Sequence, residues 1–380
     1  MRSESIAETP QLPTMMERKD AHMAQTTEAS TRLRPETVQI VHMIYTEMCN
    51  LQPGTNVLIL SDSRTPPWVI STFMGGAMAL GAQVMVAENK TPPPPSVQPG
   101  IKWNNMVIAA AKEADLIVDF AVGYAQFIVD AVMRGTRIIM PGDGTGGYHI
   151  EESLIRTMLA ADVHALRHDA DAIAALFTAA NTCHITSDEG TDLIVDIEGI
   201  EGEPDDGFLW DPDKETWKSS WAIVPPGQPG VTLPKGSGNG ILAVDGFLLY
   251  EPAYDHDTPT APIFLTIENG KLVHVDGEPL FAGRLNHWLA SLPDESARYG
   301  PVHLNLGINP RAMLTQHLEF ERIRGTMVFG FGDNSLLAPL MGRDFETVKS
   351  DVHWDALIMR PTLKLDDRVV VEKGIIQPLS

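Results

Sequence analysis

The chain contains almost no cysteine: two in 380 residues, Cys49 and Cys183, with no Cys-x-x-Cys spacing. That argues against a disulfide framework and against a thiolate zinc site. Long apolar runs are absent as well. None approaches the ~20 residues that span a bilayer, so no membrane partner is expected. Basic residues are scarce, 28 Lys and Arg against 50 Asp and Glu, for a formal charge of −22. Nucleic-acid binding relies on clustered Lys and Arg, so no nucleic-acid partner is expected either. The first thirty residues lack the apolar core of a signal peptide, and the expected location is cytoplasmic. No Gly-x-Ser-x-Gly elbow is present, which argues against a serine hydrolase. No internal repeat is visible. What remains is ordinary globular composition, 43% hydrophobic and 21% charged, in a chain long enough for two domains.

Residues 1–34 are polar and without a clear period, and read as a flexible arm. Residues 35–186 alternate between helix and strand. "PETVQIVHMIYTEMC" has apolar residues at helical spacing, and "TNVLILSDS" is a short apolar run. "VISTFMGGAMALG" and "AQVMVAEN" repeat the alternation, as do "NNMVIAAAKEA" with "DLIVDF" and "YAQFIVDAVMRG" with "TRIIMPG". Four strands separated by helices predict an α/β N-terminal domain with a parallel sheet covered on both faces. Residues 187–380 change character. "TDLIVDIEGI", "GILAVDGFLLY", "APIFLTIENG" and "KLVHVDGEP" are short strands cut by Gly, Pro, Asn and Asp. The Asn-Gly in "IENGKLVHV" is a strong hairpin signal. This half reads as a mainly antiparallel β-rich C-terminal domain. The proline run at 91–100 and the glycine-rich 141–150 read as loops, since the latter lacks both P-loop and dinucleotide spacing.

"SDVHWDALIM" (350–359) places His353 and Asp355 on one face of a predicted strand and Trp354 on the other. Burying an imidazole and a carboxylate needs a partner. Either the two belong to a buried hydrogen-bonded pair, or they hold a cation together. "PVHLNLGINP" puts His303 on another strand of the same domain. Two His and one carboxylate on rigid elements form the facial triad of non-haem Fe(II) enzymes. The remaining histidines read as surface or core residues. The acidic run "DIEGIEGEPDD" (196–206) could bind a cation, but such runs are usually solvated, and it reads as a solvated stretch.

Three stretches carry a resemblance: "HLNLGINP" (303–310), "GTMVFGFG" (325–332) and "HWD" (353–355). In order and spacing they resemble the metallo-aminopeptidases of the aminopeptidase T type, whose pattern is Glu-x-x-x-Gly-x-Asn-Pro, Gly-Thr-x-His-x-x-x-Gly and His-x-Asp. The resemblance implies the aminopeptidase T-like fold. The departures are specific. The family's Glu is His303 here, its His is Val328, and an earlier Glu falls near Gln228 or Pro229. Two metal ions are hard to hold with this remainder. His in the first stretch and no His in the second is similar to the 2,5-dihydroxypyridine 5,6-dioxygenases. That resemblance implies one Fe(II) held by His303, His353 and Asp355, and ring cleavage of a hydroxylated pyridine or related small aromatic with O2.

Tyr124 stands about where that family has an acid/base histidine, and is the catalytic candidate. An ordinary tyrosine pKa of ~10 suits a proton donor better than a base. Histidines that the resemblance implies just before the first strand of the second domain meet Ser219 and Ser220 instead, which leaves room for a different ring. A homo-oligomer is expected. The rival readings are a metallo-aminopeptidase-like hydrolase that recruits another ligand such as Glu321, and a metal-free binding protein on the same fold.

Overall fold

Parallel pairing occurs where the alternation predicts it. In the computed structural model the strands Asn56–Asp62, Gln83–Asn89, Leu116–Asp119 and Arg137–Pro141 pair in parallel. The structure describes residues 33–89, 102–142, 147–250, 259–314 and 318–379. The expected arm, apart from Leu33 and Arg34, lies outside these residues, as do the proline run and the centre of the glycine-rich loop. Alternate residues of the sheet feed two cores. Val57, Ile59, Val118 and Ile139 pack with helices Pro35–Met43 and Pro67–Ala79. Leu58, Leu60, Ile117 and Ile138 pack with Asn105–Glu113 and Gln126–Met133.

Two strands cross the expected boundary at residue 186. Trp221–Val224 joins the parallel sheet as its fifth strand, beside Arg137–Pro141. All four of its residues are buried, Ala222 and Val224 in one core and Trp221 and Ile223 in the other. A four-residue apolar run with no polar face needs a position covered on both sides, and a parallel sheet between helices provides one. Conversely, Thr182–Thr186 pairs antiparallel with Asp192–Asp196 and Thr362–Leu365. From Pro35 onward the chain forms one compact unit. Among the described residues no helix is long and apolar enough to cross a membrane.

The antiparallel half contains an eight-stranded sheet and a five-stranded sheet. Both contribute to one core, with Ile185, Leu193, Leu242 and Leu265 from the first and Leu304, Phe329, Phe331 and Trp354 from the second. The Asn-Gly hairpin forms between Ile263–Glu268 and Lys271–Gly277, with Asn269 and Gly270 both at positive φ as the tight turn requires. The five-stranded sheet runs Gly230–Thr232, His303–Leu306, Met327–Gly332, His353–Ile358, Leu248–Leu249. Its face away from the shared core carries the polar side chains considered next.

Candidate active site

Three adjacent strands of the five-stranded sheet build the centre. Leu304, Leu306, Trp354 and Ala356 point into the core. Trp354 stacks on Phe331 at 4.4 Å and donates its Nε1–H to the Ala297 carbonyl at 2.7 Å. Strand alternation then sends His303, Asn305, His353 and Asp355 to the opposite face. The middle strand places Gly330 across from both His303 and Asp355, and Gly332 across from His353. A Cβ at Gly330 would stand 2.1 Å from His303 Nε2. Because there is none, the two imidazoles and the carboxylate meet over the glycine. Their Nε2 atoms are 3.1 Å apart, and Asp355 Oδ1 is 3.2 Å from His303 Nε2 and 3.4 Å from His353 Nε2. Among the described residues these three form the one cluster of potential ligands of this kind.

Each imidazole is oriented from behind. His303 Nδ1 donates to Asn305 Oδ1 at 2.7 Å, and the Asn305 amide donates to the Gln228 carbonyl at 3.0 Å. His353 Nδ1 donates to the Asp333 carbonyl at 2.7 Å. Both protons are thus placed on Nδ1, and both Nε2 lone pairs face Asp355. Partners of this sort are the usual support for metal-binding histidines. Two lone pairs and a carboxylate oxygen at this distance repel unless positive charge stands among them. The titration behaviour expresses that demand. Burial alone would lower His353, but Asp355 beside it lifts its pKa to about 9. Burial would raise Asp355, but the two imidazoles hold it well below the usual carboxylate range. Ligands about 2.1 Å from an ion and at right angles stand about 3 Å apart, so the donor triangle fits a facially bound cation.

The facing wall comes from the parallel sheet. Tyr124, Trp221 and Ile223 line the same pocket as the triad, with Leu249, Leu336 and Leu337. Tyr124 follows strand Leu116–Asp119. The loop between is fixed by Asp119, whose carboxylate accepts the N–H groups of Ala121, Val122 and Gly123 at 2.8 to 2.9 Å. Burial pushes Asp119 up to about 7 despite those bonds. The Tyr124 ring lies 6.0 Å from that of Trp221. Ser219 and Ser220 line a larger outer cavity of about 680 Å³, not the inner pocket of about 80 Å³.

A family model described as 2,5-dihydroxypyridine 5,6-dioxygenase matches residues 39–378. The chain belongs to this family. It is a ring-cleaving dioxygenase. Among solved structures it is similar to the 2,5-dihydroxypyridine dioxygenase of Pseudomonas putida KT2440, with 19% identity, a TM-score of 0.71, and coverage of 90% of this chain and 96% of that one. It is also similar to wild-type AmpT of Thermus thermophilus, with 14% identity, a TM-score of 0.60, and coverage of 91% and 100%. No curated protein matches in sequence. The aminopeptidase T-like fold expected from the three motifs is therefore present.

The dioxygenase pocket also contains acids that the sequence reading misplaced. The run "DIEGIEGEPDD" is not solvated throughout. The side chains of Glu203, Asp205 and Asp206 are buried. Glu203 accepts from Thr232 Oγ1 at 2.9 Å and from Arg343 at 3.0 and 3.2 Å. Asp206 pairs with Lys218. Burial pushes Asp205 up to about 7 against the pull of Arg322. The overlooked signal is the "GFLW" that follows, because Phe208 and Leu209 enter the core and draw the preceding carboxylates inward. Glu321 lines the pocket too, paired with Arg322 at 2.6 Å.

Val328 shares the pocket-side face of its strand but is packed against Phe247, Phe320 and Leu357. Val328→His should therefore bind no second metal ion and should lower stability by about 2–4 kcal/mol, since a buried imidazole there has no partner. Elemental analysis and denaturant unfolding check this, and a gain of a second ion would contradict it. Gly330→Ala should drive His303 out of place and lower metal affinity by more than about tenfold with the far-UV circular dichroism unchanged. Undiminished metal content would show that the glycine is incidental.

Proposed function

We propose that this dioxygenase opens a hydroxylated pyridine, or a closely related small aromatic ring, at a single Fe(II) held by His303, His353 and Asp355. The observation that carries the reading is the convergence of two Nε2 atoms and one carboxylate oxygen within 3.4 Å, inside a pocket that a planar ring can share. Two neutral nitrogens and one carboxylate leave open positions on a divalent ion. When bound, Fe(II) supplies the redox exchange between ring and O2.

The protein's own part is positioning. Trp221, Ile223, Leu249, Leu336 and Leu337 give the pocket an apolar wall that holds a ring and excludes water. Asn305 and the Asp333 carbonyl keep both imidazoles in the ligating tautomer. Tyr124, on its anchored loop, faces the same space and can deliver its hydroxyl proton to an oxygen on the opening ring. Both atoms of O2 end in the product, which balances the cleavage without an added reductant.

A two-metal hydrolase is the reading to set against this one. It needs a second set of ligands beside the first. The position expected to supply one of them holds Val328, enclosed in hydrocarbon. Among the described residues no second ligand cluster accompanies the triad.

His303→Ala and Asp355→Ala should each lose bound iron and O2 uptake while staying folded, because two donors are too few. Full iron content in both variants would sink the triad. Anaerobically purified protein given Fe(II) should take up one O2 per ring from at least one member of a dihydroxypyridine and dihydroxybenzoate panel. Tyr124→Phe should keep its iron and lose about 10²–10⁴-fold in kcat. An unchanged kcat would remove Tyr124 from the proton path.

A further inference from the structure

The triad pocket has a larger neighbour. An outer cavity of about 680 Å³ adjoins the inner pocket of about 80 Å³, and Glu203, Asp205, Trp221 and Met341 line both. These side chains form the partition between the two spaces. Exposed residues such as Ala175 and Glu201 stand on the outer cavity's walls, so it opens to solvent. His303 and Asp355 are only 8% and 6% exposed. A molecule that reacts beside them has to pass a barrier first.

One side of the partition is fixed. Glu203 and Gly230 exchange backbone hydrogen bonds at 2.8 and 2.9 Å. Gly202 lies so close to helix Val163–Ala179 that a Cβ would stand 2.0 Å from the Ala174 carbonyl oxygen. Its N–H donates to Thr178 Oγ1 at 2.8 Å. Trp221 belongs to the parallel sheet. The other side is a strap, residues 335–343. It sets Leu336 and Leu337 against the inner pocket and runs from Pro339 to Arg343 along the outer cavity.

At the near end of the strap Asn334 is fully buried, donating to the Leu233 carbonyl and accepting from the Val348 N–H, both at 2.8 Å. Further along, the N–H groups of Met341, Gly342 and Arg343 turn back to carbonyls of the strap itself, those of Leu337, Pro339 and Ala338. The far end is tied across the partition by the Arg343 guanidinium. Nε and Nη2 donate to the Glu203 carboxylate at 3.2 and 3.0 Å. Nη2 also donates to the Glu201 carbonyl at 2.8 Å, and Nη1 to the Glu201 carboxylate at 3.0 Å. A charged fork of this kind holds firmly, and its bonds are made and broken together. Next to it Gly342 is exposed, at φ 67, with no atom within 4 Å of where a Cβ would lie. Glycine serves there for its backbone freedom and not for want of space. Met341 is half-buried and unbranched, a side chain that changes shape readily.

We propose that residues 335–343 are a door between the outer cavity and the triad pocket, pivoting at Gly342, with Met341 as its leaf and Arg343 as its latch on Glu203. A small planar molecule enters through the outer cavity when the latch opens and is enclosed when it closes. The inference rests on the triad pocket being where the ring of the proposed function is held, but it concerns passage and not chemistry.

Thiol labelling of the full-length chain tests it. The native Cys49 and Cys183 are 2% and 0% exposed and give little background. Ile223→Cys puts a thiol on the fixed wall of the inner pocket. The probe is dithiodipyridine, an uncharged disulfide of two pyridine rings that releases a coloured thiopyridone on reaction. Added to Ile223→Cys, Arg343→Gln should raise the labelling rate by about tenfold, the size of one charge-assisted hydrogen bond. Met341→Ala thins the leaf, leaves the latch intact and should raise the rate as well. Ala175→Trp narrows the outer cavity alone, and added to Arg343→Gln it should return the rate most of the way to its starting value. Should Arg343→Gln fail to fold, Met341→Ala with and without Ala175→Trp decides. A rate that neither Arg343→Gln nor Met341→Ala moves, or one that Ala175→Trp leaves unchanged, overturns the door. So does labelling of Cys49 and Cys183 at the same raised pace, because Arg343 would then hold the fold and not a passage. Latch-dependent labelling without O2 uptake on any ring would keep the door and reject ring cleavage. O2 uptake with labelling indifferent to the latch would do the reverse.

Discussion

Two imidazole nitrogens and a carboxylate oxygen can stand within 3.4 Å of one another here because the strand between their own strands has no side chain at Gly330. Glycine inside a strand costs about 0.5–1 kcal/mol relative to alanine. The residues on either side more than offset it. Phe329 and Phe331 are fully buried on the opposite face, and each contributes about 1.5–3 kcal/mol of hydrophobic stabilisation. The strand Met327–Gly332 is thus dense on its core face and hollow on its pocket face. The first property holds the sheet together, and the second makes room for the centre.

The charge balance of the pocket follows from the same crowding. Glu203 meets Arg343 and Glu321 meets Arg322, and in the neighbouring cavity Asp206 meets Lys218. Each of these buried acids has a cation in contact, as burial demands. Asp205 has only Arg322, 3.9 Å from its Oδ2, and among the described residues Asp355 has no Lys or Arg in contact. Asp355 has two imidazoles, which are neutral donors unless protonated, and the cluster is consistent only when a proton or a metal ion supplies the positive charge. Asp205 has no donor within bonding distance on its Oδ1 side. On the proposed reading a metal ion supplies the charge beside Asp355.

Much of this was legible in the sequence, and for a physical reason. A strand with period-two alternation declares which residues share a face, so His353 and Asp355 could be paired, and His303 placed on a neighbouring strand, before any coordinates. The helix–strand alternation likewise announced four strands of the parallel sheet. The remainder depends on contacts between distant segments. Nothing local marks Trp221–Val224 as the fifth parallel strand, because a short apolar run is equally compatible with either sheet. Asn305 looks like any strand-interior polar residue until its amide is seen between His303 and the Gln228 carbonyl. The acids at 203–206 read as solvated because their cations, Arg343, Lys218 and Arg322, come from elsewhere in the chain. Gly330 was visible only as part of a motif, and its function emerges from the register that sets it opposite His303 and Asp355.

The likeness to both a ring dioxygenase and AmpT shows how little of such a fold is committed to its chemistry. The fold alone does not decide between a one-metal and a two-metal centre. The choice is made at a few positions on one face. Val328 lies one alternation from Gly330, and its neighbours Phe247, Phe320 and Leu357 seal that end with hydrocarbon. A second cation there would lose its hydration and gain no ligand. At the other end, Gln228 stands near where the peptidase pattern has a carboxylate, and an amide oxygen holds a divalent ion far less firmly than an ionised carboxylate does. On the proposed reading, with both flanks closed to a second ion, the open positions of a bound ion would face Tyr124, Trp221 and the apolar wall. Space that a second ion would need is, on that reading, left to an organic ring.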